Sequence, residues 1–123
     1  MLPEIQAGAK WWTEQLRRAA NAQNLSIHFG RFQAFQRALV ALLEDKYAQH
    51  WYPKEPRRGQ AYRALLNEPR RPDPLLYSAL LTARLPIFLT AHMAEAVMWI
   101  DSGSVAVEYR DAPNKTVRVL LSP

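Results

Sequence analysis

The chain has 123 residues, of which 49% are apolar and 22% are charged. It is too short for two ordinary domains and too apolar for a disordered chain, so residues 1–123 are expected to form a single domain. The absence of cysteine excludes disulfides, thiolate metal sites and a thiol nucleophile. The formal net charge of +5 suggests an acidic partner: nucleic acid, an anionic membrane or an acidic protein surface. No apolar run approaches the roughly 20 residues that span a bilayer, and the amino terminus does not look like a signal peptide, so we expect a soluble, non-secreted protein.

Two amphipathic helices are predicted in the amino-terminal half. From Glu4 to about Asn21, apolar residues recur at intervals of three or four, which is the helical period. A stronger stripe follows between Ile27 and about His50. Its apolar positions are Phe32, Phe35, Leu39, Leu42, Leu43 and Tyr47. Each helix buries its stripe most effectively against the other, so we expect a helical hairpin.

The middle of the chain is rich in proline. Five of the nine prolines lie between Pro53 and Pro74, and because proline fixes φ and removes a hydrogen-bond donor, no long helix is expected there. Residues 59–66, between two pairs of prolines, are predicted to form a strand. Asp73 followed by Pro74 is typical of a helix start, so a third, shorter helix is predicted to end near Arg84.

The carboxy-terminal segment changes to the period of a strand. Apolar residues alternate from Ser104 to Arg110 and again from Thr116 to Leu121, with turn compositions before and between these runs. Residues 96–121 are therefore predicted to form a three-stranded antiparallel meander. Helices followed by strands indicate an α+β fold, with an amino-terminal helical hairpin and a further short helix packed on a small antiparallel sheet.

The first strand of this meander is apolar on both faces. Alternation places Met98 and Ile100 on one face and Val97, Trp99 and Asp101 on the other. Either a helix covers each side, or Trp99 lies at a surface intended for a partner. The period alone favours a buried Trp99, because tryptophan is usually buried for most of its area.

No catalytic or metal-binding pattern is present. The three histidines, His28, His50 and His92, are far apart and lack metal-ligand spacing. The four glycines form no phosphate-binding loop, and the carboxylates are scattered. The protein is therefore not expected to be an enzyme, and neither a metal nor another cofactor is expected.

Most of the net charge lies in one segment. From Lys54 to Arg71 there are six cations and two anions. This segment could bind phosphates, which makes a direct RNA-binding module an alternative function. A solvated loop is the interpretation we favour, because no nucleic-acid recognition fold or stacking motif accompanies the charge.

Two segments resemble the signature boxes of the BTG/Tob antiproliferative family. The first segment, residues 46–63, reads KYAQHWYPKEPRRGQAYR and closely resembles the first box, "KY..HWYP.KP.KG..YR". The second segment, residues 95–101, reads EAVMWID and resembles the second box. The order, the spacing and the intervening Pro-Asp-Pro helix start agree with the family as well. The chain departs from it at Ala64, where cysteine is usual, at Ser102 and Ser104, which replace proline and glutamate, and at 111–112, where Gly-Glu is usual.

The resemblance implies an adaptor without enzymatic activity. Family members bind the DEDD-type catalytic deadenylase subunit of the CCR-NOT complex through this domain, which promotes shortening of mRNA poly(A) tails and translational repression. Poly(A)-binding protein, which some members bind through carboxy-terminal tails, is a second implied partner. Location in the cytoplasm and nucleus is expected, with no membrane attachment. The departures in the second segment leave self-association as a further alternative.

The resemblance also implies the contact residues. Tyr62 and Trp99 match the two central aromatic contacts of the family, so Trp99 is now expected at an interface. Arg63 and Asp101, beside these aromatics, are predicted to be polar contacts at the rim.

The other candidate binding residues surround Tyr62 in the first segment. They are His50, Trp51, Lys54, Gly59 and Gln60. Trp51 is expected to pack as a structural anchor. Gly59 is expected to permit a positive-φ turn into the strand that presents Tyr62, and Lys54, with Arg57 and Arg58, to steer an acidic partner.

Overall fold

A computed structural model describes residues 1–123 and shows five helical segments and four strands. In chain order these are α1 (Leu2–Ala22), α2 (Phe29–Tyr47), α3 (Gln60–Arg63), β1 (Leu65–Asn67), α4 (Pro74–Thr82), a 3₁₀ helix (Ile87–His92), β2 (Ala96–Asp101), β3 (Ser104–Ala112) and β4 (Lys115–Leu121). The predicted α+β class is confirmed. None of the helices is both long enough and apolar enough to cross a bilayer.

Helices α1 and α2 pack against each other as predicted. Trp12 and Leu16 of α1 and Phe35 and Leu39 of α2 are fully buried in one hydrophobic cluster. His28 begins α2, where its Nδ1 accepts a hydrogen bond from the Gly30 N–H at 3.0 Å. The remaining stripe positions of α2 are buried as well, except Leu42, which is only half-buried.

The strands form one antiparallel sheet in the order β1-β2-β3-β4. The predicted meander of residues 96–121 is confirmed as β2, β3 and β4, and β1 adds a fourth strand, with Leu65 paired to Met98. One face of the sheet packs on the helices, where Met98, Ile100 and Val107 are fully buried. Val97 and Trp99 lie on the opposite face, which we call the outer face.

The predicted strand over residues 59–66 is wrong in its first half. Residues 60–63 form a single helical turn, and the strand begins only at Leu65. The turn follows Gly59, whose φ is +70°, and it aims the Arg63 side chain inward. The segment has no β-branched residue and no strict alternation, so nothing local opposes the turn.

Asp73 joins α4 to the edge of the sheet. Its Oδ1 accepts a hydrogen bond from the Leu75 N–H at 2.8 Å, which confirms the predicted helix start. Its Oδ2 accepts from the Leu66 N–H in β1 at 3.0 Å. The helix ends at Thr82, close to the predicted end. The 3₁₀ helix that follows was not predicted.

Candidate protein-binding surface

Arg63 lies at the centre of the contact between the two signature segments. Its side chain is fully buried, and each of its five guanidinium N–H groups has an acceptor available. The acceptors are Asp101 Oδ1 at 2.8 Å and the carbonyl oxygens of Ile100 at 2.8 Å, Pro56 at 2.7 Å, Arg58 at 2.6 Å and His50 at 2.6 Å. One side chain thereby holds the proline-rich loop against the end of β2.

The expectation that Arg63 and Asp101 are contacts at an exposed rim is wrong. Asp101 is 6% exposed and Arg63 is fully buried. Gln60 donates from Nε2 to the second carboxylate oxygen of Asp101, so that both oxygens are used. A buried charge requires such partners, and the loop carbonyls and the carboxylate supply them. These residues position the surface and do not form it.

Two further residues support Arg63 from inside. The Tyr47 hydroxyl donates a hydrogen bond to the Arg63 carbonyl oxygen. Burial raises the pKa of Tyr47, and the charge of Asp73 raises it further, so the hydroxyl stays a neutral donor. Trp51 stacks on Tyr47 with a ring separation of 6.4 Å, and the Arg63 guanidinium lies 5.5 Å from the Trp51 ring centroid. These contacts suit the anchor role expected of Trp51.

Tyr62 points away from this buried cluster. It is 46% exposed, its ring centroid lies 4.0 Å from that of His50, and Lys46 Nζ lies 4.9 Å from its ring centroid. The ring forms one wall of an open groove of about 490 Å³ between the end of α2 and the start of α4. Tyr62 is therefore available to a partner at the mouth of this groove.

Trp99 lies on the outer face of the sheet and is half-buried. Leu66 and Leu120 share this face and are 45% and 71% exposed, so no helix covers the face at these positions. The guanidinium of Arg118 lies 5.6 Å from the Trp99 ring centroid. Trp99 is thus neither a core residue nor a freely exposed one: it lies in an open apolar surface under an arginine.

The two aromatic residues are positioned by the same hydrogen bond, although they do not form a ring pair. Arg63 Nε donates to the Ile100 carbonyl oxygen at 2.8 Å. Tyr62 immediately precedes the donor residue, and Trp99 immediately precedes the acceptor residue. The bond therefore couples the backbone positions of the two aromatics.

The other candidates in the first segment have different surroundings. Gly59 has the expected positive φ, but it introduces a helical turn and not a strand. A β-carbon at Gly59 would lie 3.2 Å from Arg63 Nη1. Lys54 is exposed and has no ion pair, whereas Arg58 pairs with Glu55 at 3.4 Å.

Arg118 and its partner Glu108 were not predicted from the sequence to belong to this surface. Arg118 Nη1 donates to Glu108 Oε1 at 2.8 Å, and the two residues face each other directly across β3 and β4. The predicted strands and the turn between them contain enough information to propose this register. No group of three or more potential metal-ligating side chains occurs in the structure.

Comparison with known proteins gives the class of this domain. A family model described as "BTG family" matches residues 1–119. A BTG family protein of Dictyostelium discoideum is 32% identical over 116 residues, covering 94% of this chain. Rat Protein BTG2 is 29% identical over 133 residues, covering 99% of this chain. The chain spans 26% of the Dictyostelium protein and 81% of the rat protein.

The fold agrees with this class. A solved structure of the C. elegans FOG-3 BTG/Tob domain superposes with a TM-score of 0.69, covering 97% of this chain and 79% of that one. At 14% identity, the likeness shows the fold alone. The family match and the fold together define an α+β domain of a regulatory class. The chain belongs to the BTG family, and it is an antiproliferative-type domain.

Proposed function

We propose that this domain is an adaptor that binds the DEDD-type catalytic deadenylase subunit of the CCR-NOT complex and thereby promotes poly(A) shortening and translational repression. The observation that supports the proposal best is the contrast between the aromatic residues and their polar neighbours. Tyr62 is 46% exposed and Trp99 is half-buried on an open face, whereas Arg63 and Asp101 are buried. The residues available to a partner are those that match the family's central contacts.

The energetics of protein interfaces favour such an arrangement. Hot spots are enriched in tryptophan and tyrosine, and loss of one costs about 2 kcal/mol or more, roughly thirtyfold in affinity. Arg63 holds the backbone beside Tyr62 and Trp99 through the buried bond to Ile100. Because these segments are already ordered, binding requires little further loss of conformational entropy.

The proposal is tested by measuring the affinity of the purified domain for the purified nuclease subunit by calorimetry. Tyr62→Ala and Trp99→Ala are each expected to weaken binding by about thirtyfold. Tyr77→Ala is the matched control, because Tyr77 is 36% exposed but lies on α4 outside the groove. Its affinity is expected to equal that of the unaltered domain. Full binding by both folded variants at positions 62 and 99 would contradict the proposal.

A further inference from the structure

The outer face of the sheet has one arginine placed against its tryptophan. Trp99, Glu108 and Arg118 belong to β2, β3 and β4, three neighbouring strands. Arg118 lies opposite Glu108 in the register and donates to its carboxylate at 2.8 Å. Its guanidinium lies 5.6 Å from the Trp99 ring centroid, a distance at which the π face attracts a cation. Two contacts therefore hold the guanidinium beside the indole.

Arg118 keeps most of its hydrogen-bonding capacity free. A guanidinium has five N–H donors, and Glu108 is the only side chain or carbonyl to which Arg118 donates. Its side chain is 56% exposed. The other arginine on this face, Arg110, is directed to Glu95 at 3.3 Å. Arg118 is therefore the cation next to Trp99 that is available to bind a partner.

Apart from Glu108, the surface around Arg118 is apolar. Leu120, two residues away on the same strand and face, is 71% exposed, and the Trp99 ring lies under the guanidinium. A partner that covers Trp99 and Leu120 also removes water from the Arg118 guanidinium. Free N–H donors that lose water without gaining an acceptor weaken binding. The N–H donors that Glu108 leaves free therefore require an acceptor from the partner, and a carboxylate is the strong acceptor that matches the paired N–H geometry of arginine.

We propose that Arg118 is a specificity-determining residue of the Trp99 surface and selects a protein segment that presents an Asp or Glu carboxylate next to an apolar side chain. The apolar group packs on Trp99 and Leu120, and the carboxylate pairs with Arg118. This inference rests on the proposed function, because it concerns the partner that binds through Trp99.

The test measures affinity for the purified nuclease subunit by calorimetry at low and high ionic strength. Arg118→Gln is expected to weaken binding by about three- to tenfold, and Arg118→Glu by about tenfold or more. Arg118→Lys, which keeps the charge but loses the planar fork, is expected to fall between the unaltered domain and Arg118→Gln. The advantage of the unaltered domain over Arg118→Gln is expected to shrink as salt is added. Arg31→Glu is the charge-matched control, because Arg31 is exposed on α2 and forms no ion pair.

The outcomes separate this inference from the proposed function. Loss of binding in Trp99→Ala together with full or tighter binding in Arg118→Glu would overturn the role of Arg118 alone. Equal losses in Arg118→Glu and Arg31→Glu would also overturn it, because net charge would then explain the effect. If sedimentation shows that Arg118→Glu separates self-associated copies without changing nuclease affinity, the occupant is a second copy, and the proposed partner is wrong. Full binding by both Tyr62→Ala and Trp99→Ala would contradict the proposed function itself. Weaker binding by Trp99→Ala and by the Arg118 variants, with Arg31→Glu binding as the unaltered domain does, supports the proposal.

Discussion

The Arg63 guanidinium donates to Asp101 Oδ1 at 2.8 Å, and both side chains are buried. This pair joins the first segment to the end of β2, although 38 residues separate the two partners in sequence. Because Tyr62 and Trp99 flank this junction, the ion pair positions the candidate surface without belonging to it. Stability and binding are therefore expected to respond to different residues in the same two segments.

The first prediction concerns the stability that depends on Arg63. Arg63→Leu leaves the Asp101 carboxylate and four carbonyl groups without their donor. Breaking a buried pair by removing one partner costs about 3–5 kcal/mol. We expect a reduction of that size in the free energy of unfolding, measured by urea denaturation followed by circular dichroism.

The control for this prediction is Arg58→Leu. Arg58 forms an exposed pair with Glu55 at 3.4 Å, and exposed pairs contribute about 0–1 kcal/mol. If Arg63→Leu lowered the free energy of unfolding by less than about 1 kcal/mol, as the control is expected to do, the central role of the buried pair would be contradicted.

The second prediction separates backbone strain from side-chain crowding at Gly59. Gly59 and Gly103 both have positive φ, at +70° and +79°. Alanine in this region costs about 1–2 kcal/mol. A β-carbon at Gly103 would meet nothing within 4 Å, whereas at Gly59 it would lie 3.2 Å from Arg63 Nη1. We expect Gly59→Ala to be more destabilising than Gly103→Ala when urea midpoints are compared. Equal midpoints would show that the Arg63 contact adds nothing to the strain.

The parts of the fold that could be predicted are those encoded by local periodicity. The stripe from Phe32 to Tyr47 predicted α2, and alternation predicted β3 and β4, because each pattern reflects one face buried against the core. The helical turn at 60–63 could not be found in this way. It depends on the burial of Arg63, and arginine is normally exposed unless partners surround it. Those partners come from the loop and from β2, which the local sequence does not reveal.

The candidate site was likewise predictable from the sequence only in part. The two aromatic residues were identified through a resemblance, while period alone favoured a buried Trp99. The prediction that Arg63 and Asp101 are rim contacts was wrong, because a residue next to an exposed aromatic in the sequence can still direct its own side chain into the core. In the turn of α3, Tyr62 points outward and Arg63 points inward.

The third prediction is a dependence of stability on pH through Glu4. Partial burial raises the pKa of this carboxyl, but hydrogen bonds from backbone N–H groups, including Gly103 at 2.9 Å, and the charge of the amino terminus lower it overall. A carboxyl whose pKa is lower in the folded state stabilises the protein above its unfolded pKa, about 4.3. That stabilisation is lost as the pH falls through the folded value.

The comparison for Glu4 uses Glu4→Gln over a range of about pH 3 to 7. The unaltered domain is expected to be more stable than the variant near neutral pH, and the difference in urea midpoint is expected to narrow below about pH 4. A difference that stays constant across this range would show that ionisation of Glu4 makes no contribution.

The final prediction distinguishes protein binding from direct RNA binding. Lys54, Arg57, Arg70 and Arg71 are exposed and have no ion pairs, so they can attract phosphates. Arg63, which belongs to the same basic segment, is buried and paired with Asp101, and it therefore adds nothing to the surface charge available to RNA. The remaining cations are expected to give only non-specific attraction.

In a gel-shift experiment with poly(A), we therefore expect weak binding, with a dissociation constant of about 10⁻⁴ to 10⁻⁶ M at physiological salt and a steep loss of affinity as salt rises. Combined Arg70→Gln and Arg71→Gln substitutions are expected to reduce RNA retention further, because each removes a phosphate-binding charge. The same variant is expected to bind the nuclease subunit as the unaltered domain does, since neither residue lies beside Tyr62 in the groove or against Trp99. Tight, salt-resistant binding to poly(A) that survives this double substitution would instead favour an RNA-binding module, because phosphate attraction alone does not resist salt.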